Sequence, residues 1–152
     1  MEFKSTSEAI NALEKLGHQY YNCLIGGMLD IWEEQVHHLY LFLQKQIEKL
    51  CVQTIRANQK SHLYFSIEIN NVGRVKFFIF ESDCLTQLYG DSFYDISTKE
   101  IKYRTVDTYS VNALIKAFQQ LEEINKAIKK HLKTSEKERP TPVDNTPDDF
   151  VF

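Results

Sequence analysis

The chain has 152 residues, of which 43% are hydrophobic, 12% aromatic and 26% charged, the balance of a single globular domain rather than a disordered polymer or a membrane bundle. Its formal net charge is −3, and three uncompensated acids (Asp144, Asp148, Asp149) lie beyond Arg139, so the preceding chain is electrically balanced. That argues against a strongly basic protein that coats duplex DNA by charge alone, while leaving room for a local basic face. Cys23, Cys51 and Cys84 form no CxxC and no metal spacing, and read as reduced thiols. The N-terminus lacks the cationic and apolar succession of a secretory signal, and the most apolar stretch, Cys23 to Leu29, is far shorter than the roughly 20 residues of a bilayer helix. A cytoplasmic protein is expected.

Ser5-Thr6-Ser7-Glu8 has the spacing of a capping box, and Ile10, Leu13, Leu16, Tyr20, Cys23 and Leu24 recur at helical intervals, which predicts a helix from about Ser5. Gly26-Gly27 should kink or break it. A longer helix follows over about 28–58, with Leu29, Trp32, Val36, Leu39, Leu43 and Leu50 as an apolar seam that Gln46 interrupts and Ile31, Tyr40 and Ile47 widen.

From Ser61 the period becomes two. Leu63, Phe65, Ile67 and Ile69 fall on one side of a strand and Tyr64, Ser66 and Glu68 on the other; Asn70-Asn71-Val72-Gly73 supplies a turn, and 74–80 forms the return strand of a hairpin. Residues 84–89 suggest a short helix ending at Gly90. A second hairpin is expected from 93–96 and 101–106, turning at 97–99. Ser110 should cap a last helix with the seam Val111, Leu114, Phe118, Leu121, Ile128 and Leu132, broken by Asn125 and ending near Lys133. Residues 134–152 contain all three prolines and few apolar residues, and read as a solvated acidic tail. The expectation is one α+β domain over 1–133: two N-terminal helices, an antiparallel sheet of about four strands and a C-terminal helix.

Cations and rings alternate on the predicted sheet. Arg74, Lys76, Phe78 and Phe80 share one side of their strand, Lys102 and Arg104 share one side of theirs, and Tyr64 belongs to the first strand. Such interleaving suits single-stranded nucleic acid, whose bases stack on rings while cations meet phosphates; the bland alternative makes the cations the wet side of a sheet. Lys126, Lys129, Lys130, His131 and Lys133 complement the dipole at a helix C-terminus. Glu34-x-x-His37 and the pairs Glu33/His37 and Glu34/His38 have ligand-like spacing, but no second motif completes a metal site, and His37 and His38 diverge by about 100° on a helix. No nucleophile, phosphate-loop or dinucleotide motif occurs, and the polar loop Asp83-Cys84 near Tyr89-Gly90-Asp91 lacks an assignable base. Neither enzyme activity nor a cofactor is expected.

The final residues, Pro147-Asp148-Asp149-Phe150-Val151-Phe152, resemble the acidic C-terminal tip of bacterial and phage single-stranded DNA-binding proteins, with Val151 where that family has Pro. The resemblance covers residues 144–152 and implies a peptide whose Asp148, Asp149, Phe150 and Phe152 engage a partner protein. Nothing upstream follows that family's OB-fold pattern. The leading expectation is therefore a non-catalytic accessory protein of DNA metabolism, of phage or other mobile-element type, that binds single strands on its sheet and a partner through its tip. The alternative is an adaptor or inhibitor that dimerises or docks a partner through the Leu29–Leu50 seam, without nucleic acid. Either form could self-associate if the seam is uncovered.

Overall fold

The computed structural model describes residues 3–69, 75–93 and 108–135. Helix α1 (Thr6–Ile25) starts as the capping box predicts, with the Ser5 hydroxyl accepting from the Glu8 amide at 3.2 Å. The Glu8 carboxylate reaches back to the Lys4 amide at 3.4 Å, one residue ahead of the usual partner. At the other end Gly27 takes φ +71°, the Met28 amide donates to the Cys23 carbonyl at 2.8 Å and the Gly26 amide to the Asn22 carbonyl at 2.9 Å. These bonds satisfy carbonyls left open by the last turn, and the left-handed residue reverses the chain. The expected break at Gly26-Gly27 is thus a full helix end.

Helix α2 (Leu29–Lys60) returns along α1, and helix α3 (Thr108–Ser135) is the third of the bundle. Four contacts fix their directions. Trp32 donates its indole N–H to the Leu16 carbonyl at 2.7 Å, whereas ten residues later Phe42 meets Phe3 at 5.6 Å between ring centroids, so α1 and α2 are antiparallel. Phe42 also stacks on Phe118 at 5.8 Å, and Val111 lies beside Gly17, so α3 runs with α2 and against α1. Because α1 is much the shortest helix, the later turns of α2 and α3 need another cover, which the sheet provides.

The strands β1 (Tyr64–Ile69), β2 (Val75–Phe80) and β3 (Gln87–Phe93) form an antiparallel sheet in that order. Phe65, Val75, Phe77 and Ile79 enter the core shared with the helices, as the alternation predicts. Asn58 of α2 joins helix to sheet: its Nδ2 donates to the Phe65 carbonyl at 2.8 Å and its Oδ1 accepts from the Phe65 amide at 2.7 Å.

Three expectations require correction. Residues 84–89 do not make a helix. The Asp83 carboxylate accepts from the Leu85 and Thr86 amides at 2.9 and 3.2 Å, and the Glu81 amide donates to the Thr86 carbonyl at 2.9 Å; this turn returns the chain as β3, with Gly90 opposite Phe78 rather than at a helix end. Ser110 does not precede the last helix but lies buried within its first turn. The seam offered for self-association is occupied internally: Trp32, Val36, Leu39, Leu43 and Leu50 are all at most 1% exposed, and Leu29 packs at the margin of the same core. Ile31, read as widening that face, is half exposed. The turn at 70–73, the hairpin beyond Phe93 and residues 136–152 lie outside the described residues.

The core contains one unmatched polar atom among the described residues, Asn125 Oδ1, where the apolar seam of α3 is interrupted. A buried acceptor without a partner costs about 1–3 kcal/mol. Asn125→Leu, which keeps the branching and heavy-atom count of the side chain, is expected to raise stability by about 1 kcal/mol, read as a higher urea midpoint at unchanged slope; a lower midpoint would show that the amide is satisfied in solution or that the bulkier side chain is not accommodated.

Candidate functional site

The sheet face turned away from the helices carries Tyr64, Ser66 and Glu68 from β1 and Phe80, Phe78 and Lys76 from β2, paired in that order across the strands. Tyr64 and Phe80 are 6.4 Å apart between ring centroids, and Phe80 and Phe78 are 5.8 Å apart at an interplanar angle of 35°. The three rings form one row. Tyr64 is 49% exposed, while Phe78 and Phe80 are half-buried, partly by each other.

Small neighbours keep the row open. Phe78 lies between Ser66 on β1 and Gly90 on β3. A Cβ at Gly90 would stand 3.1 Å from the Phe78 ring and 2.5 Å from the Gln87 amide nitrogen, so any other residue there would push the ring or Gln87 aside. A ring lying over a strand glycine also covers the backbone that the missing side chain leaves bare. Next to Phe80 the register shifts, with Ile79 opposite Tyr89 and Phe80 opposite Gln87, and the extra residue, Leu88, is 37% exposed. Sequence reasoning found Tyr64, Phe78 and Phe80 but missed Ser66, Gly90 and Leu88. An alternation that runs through Gly90 was the available signal.

Charge on this face is sparse. Lys76 is exposed and its cross-strand partner is Glu68, so the described part of the surface is close to neutral. Arg74, Lys102 and Arg104 lie outside the described residues, as do Asp148, Asp149, Phe150 and Phe152. The opposite side of β3 is polar where it meets α3. Asp91 accepts from Gln120 at 3.3 Å and from the Tyr89 hydroxyl at 3.5 Å, and burial, followed by the Asp91 charge, pushes the Tyr89 phenol up to about 12.

The other candidate clusters do not converge. Asp83 is engaged in its turn, whose amides hold the carboxyl below its usual range. Cys84 stands beside it, exposed, at φ 61°, while Tyr89 and Asp91 are directed toward α3. His38 comes within 3.9 Å of Glu34 one turn away, and no three potential metal ligands meet among the described residues. On α3, Lys126 pairs with Glu123 at 3.5 Å, and partial burial followed by the Lys130 charge lowers the His131 pKa. Cys23, Cys51 and Cys84 are free, and burial, then Glu48, raises the Cys51 pKa. No described helix is long and apolar enough to cross a membrane. No protein-family model matches the chain, and neither a curated protein nor a solved structure is similar to it.

Proposed function

We propose that this chain is a non-catalytic binding protein whose working surface is the open sheet face, and that its ligand is single-stranded nucleic acid. The observation that carries the reading is the continuous row Tyr64–Phe80–Phe78, set on the sheet and bordered by the small residues Ser66 and Gly90. Bases stack on such rings irrespective of sequence, each contact contributing about 1–3 kcal/mol. In this proposal residues 101–106 contribute a fourth strand, on which Lys102 and Arg104 share one side. Lys76, Arg74, Lys102 and Arg104 then meet phosphates, and the acidic segment after residue 134 takes a protein partner.

A second reading, a protein-docking face in a cytoplasmic adaptor, is favoured by the neutral pairing of Glu68 with Lys76, which suits an apolar partner surface better than a polyanion. Fluorescence anisotropy of single-stranded and duplex oligonucleotides across a salt series separates the two. The nucleic-acid reading requires tighter binding of the single strand and a shallow loss with salt, its log–log slope set by no more than about four phosphate contacts. Absence of binding at low salt would reject that reading and leave the protein-docking one.

A further inference from the structure

An open groove of about 520 Å³ lies on the outer side of α2, where the segment ahead of α1 crosses it. Its apolar lining is Phe3, Leu41 and Phe42, and its charged lining is Lys4, Lys45 and Lys49 against the single acid Glu48. No ion pair joins any of these three lysine side chains to a described carboxylate. The groove is thus a hydrophobic floor with a net positive rim. It does not belong to the ring-bearing sheet face.

The chain contains a segment of complementary chemistry. Residues 144–152, Asp-Asn-Thr-Pro-Asp-Asp-Phe-Val-Phe, combine three carboxylates with two phenylalanines and a valine. The connection also has suitable length. Phe118 stacks on Phe42 at the groove, and the seventeen residues from there to Ser135, where α3 ends, advance by about 26 Å at the helical rise. Residues 136–143, with prolines at 140 and 142 that favour extension, are long enough to span about the same distance back. That length is enough for Asp144 and its successors to reach the level of Phe42.

We infer that the groove of Phe3, Leu41, Phe42, Lys4, Lys45 and Lys49 is the docking site of this chain's own acidic segment, residues 144–152. Phe150 and Phe152 occupy the apolar floor while Asp148 and Asp149 face the lysines. Docking in this way withholds the acidic tip from any outside partner, and a competing basic protein would have to displace it. The inference is independent of what binds the sheet.

The test uses the full chain labelled with ¹⁵N. Docking predicts that amide signals of residues 144–152 depart from those of the free peptide 140–152 and have raised heteronuclear NOE values. The double charge reversal Lys45→Glu with Lys49→Glu, at exposed positions, should return them to the free-peptide shifts. Phe150→Ser with Phe152→Ser should instead move the Leu41 and Lys45 signals. Tail signals that match the free peptide in the native chain and do not respond to either pair of substitutions would overturn the inference. Docked shifts that vanish on tenfold dilution would overturn it too, because the occupant would then be the segment of a second copy.

Discussion

Trp32→Ala is expected to lower the stability of the fold by about 3–5 kcal/mol, the largest effect of any single truncation proposed for this chain. The indole is 1% exposed, lies 4.9 Å from the Tyr20 ring between centroids, and ties α2 to the Leu16 carbonyl of α1. Truncation removes the transfer energy of the ring and leaves a cavity at the junction of two long helices, which relax only in part. Since this is the chain's single tryptophan, unfolding of the variant must be followed by far-UV circular dichroism in urea. Trp32→Phe retains most of the apolar volume and loses the N–H bond, so its cost should be smaller, about 1–2 kcal/mol. Equal losses in the two variants would mean that the hydrogen bond, rather than the ring, secures this corner.

Tyr64→Ala should weaken binding of a single-stranded oligonucleotide about 5- to 150-fold, the equivalent of about 1–3 kcal/mol for one stacked base. Phe80→Ala should do the same, and because the two rings are neighbours in one row their effects should not add. Tyr64 is about half exposed and sits near the start of an edge strand, so its removal should leave the urea midpoint close to that of the native chain. Lys76→Glu provides the contrast. It places two carboxylates opposite each other with Glu68 and should affect binding most at low salt, whereas the ring substitutions act at every salt concentration. Native affinity in Tyr64→Ala and Phe80→Ala together would dispose of the stacking platform.

The helices were legible because each carries its own signal. The capping box at Ser5, the left-handed residue at Gly27 and the three-and-four spacing from Trp32 to Leu50 are local properties, and the structure uses each locally. The first hairpin was legible for a similar reason, since a period of two divides Phe65, Phe77 and Ile79 from Tyr64, Phe78 and Lys76 without knowledge of the partner layer. What escaped was set by distant contacts. Gly90 punctuates a helix or strand equally well, and what decides between them is the Phe78 ring across the ladder together with the amide bonds that Asp83 collects. Ser110 is a good cap by type, but the helix starts earlier and buries it. The α2 seam was visible as an apolar stripe. That α1, α3 and the sheet would cover it, rather than a second molecule, depends on the packing of all the elements. The groove over Phe42 could not be read at all, because it arises where residues 3–4 cross a helix some forty positions away.

The amide of Asn58 has a consequence for how these sheets could join one another. By donating to the Phe65 carbonyl and accepting from the Phe65 amide, one helical side chain acts as a counterfeit neighbouring strand at the β1 margin. A foreign strand arriving there would have to displace both bonds before making any of its own. Fibre growth by lateral addition needs two receptive margins per molecule, one to accept and one to offer. With the β1 side obstructed at Phe65, only the opposite margin of the sheet is left to take a foreign strand, and contact through one margin closes after two molecules, so any such association should end at a pair instead of propagating.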